Sequence, residues 1–129
     1  MKKVVMFMAA IVAACTVNAA TVTWSVTGTK APNGDGTFSA ASLNGGIAYL
    51  FVGSQDTSAL TAAIEGGTFT GAGNLWSQAT GTTGGFAKAG LGSYSNEDVT
   101  LYMVIFDQGT IGDSNFYMIS TDVTQSFVN

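Results

Sequence analysis

Two segments of this chain are apolar on both faces of any strand they form. In GIAYLFVG (Gly46 to Gly53), Ile47, Tyr49 and Phe51 alternate with Ala48, Leu50 and Val52. VTLYMVIFD (Val99 to Asp107) repeats the pattern at greater length. Successive strand residues point to opposite sides of a sheet, so neither face of these segments tolerates water. Each reads as a central strand with cover above and below.

The neighbouring segments fit a sheet built around these two. TVTWSVT (Thr21 to Thr27) places Val22, Trp24 and Val26 on one face and Thr21, Thr23, Ser25 and Thr27 on the other. That is a strand with one wet face, and Trp24 belongs to its core side. Asn33-Gly34-Asp35-Gly36 is a turn signal. After Gly53 the period changes. Ala59, Leu60, Ala63 and Ile64 recur at helical spacing, Asp56, Thr57 or Ser58 can cap the start, and Gly66 can end it. The spacing predicts one short helix over Ser58 to Glu65. From Gly66 to Asp98 there are nine glycines, punctuated by Phe69, Leu75, Trp76, Phe86, Leu91 and Tyr94. Loops with one or two short strands are expected there. NFYMIST (Asn115 to Thr121) and DVTQSFVN (Asp122 to Asn129) complete the strands. The expectation is a mainly antiparallel all-β domain over residues 20–129, β-sandwich or jelly-roll-like, with one helix near 58–65.

An N-terminal signal helix is expected ahead of that domain. Lys2 and Lys3 form a positive start, Val4 to Ala14 is an uninterrupted apolar run, and small residues follow. The run falls short of the roughly 20 apolar residues of a membrane span. Val17-Asn18-Ala19 suits cleavage between Ala19 and Ala20. Val12-Ala13-Ala14-Cys15 offers the alternative of lipid attachment at Cys15. Simple cleavage is the favoured reading, and it removes the only cysteine, in keeping with an oxidising destination. The protein is expected outside the cytoplasm of a bacterium: extracellular, at the cell surface or in the periplasm.

Past that cut the chain has no His, Cys or Arg. Lys30 and Lys88 are its only side-chain cations, set against all eight acidic residues. Nucleic acid and anionic membrane surfaces select basic proteins, so neither is expected as a partner. No Ser-His-Asp triad, Cys nucleophile or ordinary zinc site can be assembled. Lys30 and Lys88 lie in glycine-rich stretches unsuited to activating a nucleophile. Glu97, Asp98, Asp107 and Asp113 are the candidates for a carboxylate pair, but their positions beside turns and strand entries suit a backbone-capping role. The chain is therefore read as non-enzymatic and without a cofactor. Calcium has weak candidates in Asn33 and Asp35, and in Asp107 and Asp113 with Asn115. The ligand set after Asp35 is incomplete, so turns are the favoured reading. Trp76 and Tyr94, in polar surroundings, are the candidates for stacking on a sugar ring; the competing reading is that they anchor loops to the sheet.

The succession of signal peptide, TVTWSV, KAPNGDGTFSAASL, AYLFVGSQDTSALTAAI, VTLYMVIFD and NFYMIS resembles small exported proteins of unknown function from gut Verrucomicrobia and Lentisphaerae. Many of those end in a PEP-CTERM sorting tail, which does not follow SFVN here. The resemblance implies a surface or extracellular β domain and no reaction. The end of the sequence reads either as a terminal strand or as a break within a longer protein. The functional expectation is a structural or interaction protein, with self-association or a surface glycan as its partner. A carbohydrate-binding module is the alternative.

Overall fold

A computed structural model describes residues 3–4, 10–12, 22–27, 31–32, 38–39, 44–71, 75–81, 85–91 and 97–127. In chain order its strands are β1 (Lys3–Val4), β2 (Ala10–Val12), β3 (Val22–Thr27), β4 (Ala31–Pro32), β5 (Phe38–Ser39), β6 (Ile47–Val52), β7 (Leu75–Thr80), β8 (Gly85–Leu91), β9 (Glu97–Phe106), β10 (Phe116–Ile119) and β11 (Val123–Phe127). One α-helix, α1 (Thr57–Glu65), lies between β6 and β7.

The two doubly apolar segments sit side by side at the centre of the largest sheet. Its order is β1-β10-β9-β6-β7, with β11 also paired to β9. Apart from the parallel β1–β10 pair, every pairing in it is antiparallel. Register assigns the faces. Tyr49 opposes Val104, Phe51 opposes Tyr102, and Ile47 and Tyr117 both oppose Phe106. These residues share one face, and α1 covers it with Ile64 and Leu60, helped by Phe69 from the following segment. On the other face Ala48, Leu50, Leu101, Met103 and Ile105 are each at most 1% exposed. Burial on both faces is what the sequence of β6 and β9 demands.

The helix forms where its sequence predicts, starting one residue earlier, at Thr57. The Asp56 side chain accepts the Ala59 N–H at 3.0 Å, satisfying a backbone donor the first turn leaves open. Gly66 ends the helix as expected, standing as its C-cap in the right-handed region at φ −80°. Gly67 takes the left-handed position, φ 74°. Its N–H reaches the Ile64 carbonyl at 3.2 Å while the Thr68 N–H reaches that of Ala63 at 2.8 Å. This pair of bonds is the Schellman arrangement, which satisfies carbonyls of the last turn.

The two C-terminal strands form one long arm along β9, interrupted once. Ile119 opposes Val104 and Val123 opposes Leu101, so Ser120, Thr121 and Asp122 stand against only Tyr102 and Met103. Such a bulge breaks the ladder locally. Ser120 repairs it: its N–H donates to the Met103 carbonyl at 2.9 Å, and its Oγ accepts the Met103 N–H at 2.8 Å.

Two smaller sheets accompany the large one, β2-β3-β8 and β4-β5. The β4–β5 pair flanks the predicted turn at Asn33 to Gly36, which lies outside the described residues. The glycine-rich stretch from Gly66 to Asp98 contains two full strands, β7 and β8. Most of the run expected as a signal helix lies outside the described residues; within it Lys3–Val4 and Ala10–Val12 are extended and paired, with β10 and β3 respectively. An apolar run of Val, Ile and Ala suits a ladder as well as a helix, and here open strand edges offer it partners.

Candidate interaction surface

Most acids described in detail are committed to holding the fold. Asp56 caps α1. Asp107 is 7% exposed at the end of β9; its Oδ1 accepts the N–H groups of Asn115 and Phe116 at 3.0 and 3.1 Å and closes the β9–β10 connection. Within that connection Ser114, also buried, donates its hydroxyl to the Thr110 carbonyl at 3.2 Å. Asp122, in the bulge, accepts the Gln55 N–H at 2.8 Å and so ties the C-terminal arm to the start of α1. Glu65, on the last turn of α1, accepts the Tyr117 hydroxyl at 3.1 Å. Asp113 is exposed in a short 3₁₀ turn, Ile111–Asp113. Among the described residues no three His, Cys, Asp or Glu side chains converge on a point that would hold a metal ion.

Beneath α1 the aromatic side chains form a continuous layer. Phe51 stacks on Tyr102 with centroids 5.1 Å apart, and Phe69 meets Tyr49 edge-on at 5.7 Å and Phe106 at 5.5 Å. Burial pushes the Tyr49, Tyr102 and Tyr117 hydroxyls above their ordinary pKa. The charge of Asp122 adds to the shift at Tyr102. At Tyr117 the hydrogen bond and charge of Glu65 add, partly offset by a hydrogen bond with Thr61. The shift keeps the Tyr117 hydroxyl protonated as the donor to Glu65.

Exposed surface includes the outer side of α1 and positions along edge strand β7. Of the sequence-predicted binding residues, Trp76 lies in β7 and not in a loop. Leu50 opposes Ser77 and Phe51 opposes Leu75, which makes Trp76 the extra residue of a bulge. Next to it Leu75 is the exposed large hydrophobic residue of the described surface, at 36%. Further along β7, Gln78 and Thr80 are exposed, while Ala79 is buried. Strand β7 ends the sheet, and a bulge on an edge strand twists its backbone away from foreign strands and re-aims a side chain. Lys88, in the glycine-rich stretch, lies in β8 opposite Trp24. Glu97 and Asp98 open β9, where they pair with Phe127 and Ser126. Cys15, Ala19, Ala20, Lys30, Asn33, Asp35 and Tyr94 lie outside the described residues, as do the side chains of Trp24 and Trp76.

Reasoning from sequence missed the roles of Ser120, Asp122 and Glu65. A signal for the first two exists: the polar run Ser-Thr-Asp between two strand-like alternations marks a bulge whose side chains must replace ladder bonds. Nothing local signals Glu65, because its partner Tyr117 is 52 residues away. Comparison with known proteins returns no matching family model, no matching curated protein and no matching solved structure.

Proposed function

We propose that this chain is an exported, non-catalytic β module that works by contact with other macromolecules at the cell surface or in secreted material. The carrying observation is where the described acids go: Asp56, Asp107, Asp122 and Glu65 each accept a hydrogen bond that holds a cap, a turn or a packed tyrosine in place. Groups used this way are structural supports. The contact surface is then the strand edges and the polar rim around them.

Export rests on Lys2 and Lys3, the apolar run from Val4 to Ala14 and the small residues to Ala19. No helix among the described residues is long and apolar enough to cross a membrane. A sandwich architecture is supported by the second face of the large sheet. Ala48, Leu50, Leu101, Met103 and Ile105 need an apolar layer over them, and Phe86, in the β2-β3-β8 sheet, is itself buried. Intact-mass measurement on the protein fractionated from its host tests export. A chain beginning at Ala20 in the exported fraction is expected. A chain retaining residues 1–19 in the cytoplasm overturns the reading, and a diacylated Cys15 moves the protein to a lipid anchor.

A second reading is carbohydrate binding: Trp76 is the extra residue of a bulge on edge strand β7, next to exposed Leu75, and aromatic residues at such positions suit stacking on a pyranose. Glycan-array binding that disappears in Trp76→Ala supports it, and binding unchanged by that substitution removes it.

A further inference from the structure

The leader residues occupy a strand edge that export would open. Strand β2 runs antiparallel along β3, with Ala10 opposite Thr27, Ile11 opposite Val26 and Val12 opposite Ser25, while β8 holds the other side of β3. Ala10–Val12 lies ahead of Ala19. Resting on the export reading above, we infer that removal of the leader opens the β3 edge for a second copy of this chain, whose own β3 takes the place of β2 across a two-fold axis.

Three observations select this edge and this occupant. The edge accepts a strand, since β2 sits on it in regular register. It also lacks guards. From Thr21 to Gly28 there is no charge and no proline, and the register shift of the β3–β8 pair, between Val22 and Trp24, lies outside Ser25–Thr27, where β2 pairs; β7 carries a bulge at Trp76 and β4 contains Pro32. Unguarded edges are the ones that pair with other chains. Finally, direction decides the partner. Two identical edges related by a two-fold axis normal to the sheet meet antiparallel, and a two-fold contact is self-complementary. The second copy's β3 therefore arrives in the direction β2 had. Strand β1 lies parallel to β10, Lys3 opposite Phe116, an arrangement that a two-fold copy of β10 cannot reproduce. The result is a sheet running β8-β3 from one copy into β3-β8 of the next.

The test uses protein recovered from the exported fraction of its host, with intact mass, light scattering over a dilution series and amide hydrogen exchange measured on one sample. A chain starting at Ala20 that dimerises, with protection of Val22–Thr27 rising with concentration, is the expected result. A chain starting at a lipidated Cys15 has lost Ala10–Val12 equally and must show the same protection. Thr23→Lys and Thr23→Glu, each alone, weaken association about five- to tenfold through like charges brought together, and an equal mixture of the two recovers it. A chain starting at Ala20 that stays monomeric at about 100 μM overturns the inference and leaves export standing. Dimerisation with concentration-dependent protection confined to β7 or β11, or a different protein protecting Val22–Thr27, also overturns it. An exported chain that still begins at Met1 overturns both the cleavage and the inference.

Discussion

Strands β9 and β3 both read as strands in the sequence, yet they live in opposite circumstances. Strand β9 has partners on both sides over most of its C-terminal half: β6 runs along Leu101 to Phe106, with β10 opposite Val104 to Phe106, while β11 pairs with Glu97 to Leu101. Both of its faces are buried. Strand β3 has one partner from the body of the protein, β8, and one from the N-terminal run. The difference follows from pattern. A segment apolar on both faces is driven to the centre of a sheet, while a segment with a row of Thr and Ser is content at a margin. Stability is expected to concentrate at the first kind of strand, and the second kind is where the proposed pairing with another chain would form.

The largest expected effect lies at the centre. Phe106 is fully buried and touches the rings of Tyr49, Phe69 and Tyr117. Phe106→Ala should cost about 3–5 kcal/mol in denaturant unfolding. A loss as small as that of an exposed strand position would break the contrast between centre and margin. Gly71 comes next. Its φ is 73°, and a Cβ there would meet the Tyr49 ring at 2.5 Å, so Gly71→Ala should cost roughly 1–3 kcal/mol. Thermal melting checks it, and Tyr49→Leu in the same chain should recover part of the loss by removing the ring.

Ser120→Ala sharpens the comparison within the long C-terminal arm. It leaves the buried Met103 N–H without its acceptor, a cost of about 1–2 kcal/mol by chemical denaturation, whereas Thr124→Ala on the exposed part of the arm should change stability by less than about 0.5 kcal/mol. A further modest loss is expected at Tyr117. Removing its hydroxyl bond to Glu65 through Tyr117→Phe should cost about 1 kcal/mol at neutral pH. The folded-state pKa of Tyr117 lies above that of the unfolded chain. The native state therefore holds this proton more tightly, and its contribution is complete below pH about 10 and lost as pH rises through the folded value. Tyr49 and Tyr102 act in the same direction. A stability profile across alkaline pH should fall less steeply in Tyr117→Phe than in the parent chain.

The centre of the fold is legible in the sequence because its signals are local and strong. Alternation over Ile47–Val52 and Val99–Phe106, with helical spacing between Ala59 and Ile64, suffices to place β6, β9 and α1. The glycine-rich middle is harder. Leu75–Thr80 and Gly85–Leu91 contain Ser, Gln, Lys and Gly, and they become strands because β6 and β3 offer them edges, a tertiary effect that propensity does not carry. Trp76 shows the same limit, since a bulge is a property of two strands in register. The N-terminal run is ambiguous in isolation: the composition that serves a signal helix also pairs as Lys3–Val4 and Ala10–Val12 once β10 and β3 are beside it. Of the candidate acids, Asp107 follows its turn signal as a backbone acceptor, while the service of Asp122 and Glu65 depends on partners distant in the chain.

The most direct test of a stable centre and an associating margin is amide hydrogen exchange on the exported protein at low and high concentration. The account predicts that Leu50, Met103, Val104 and Ile105 exchange slowest at every concentration, and that Val22–Thr27 gains protection only as concentration rises. Exchange at Val22–Thr27 independent of concentration, or a centre no better protected than β7, would contradict it.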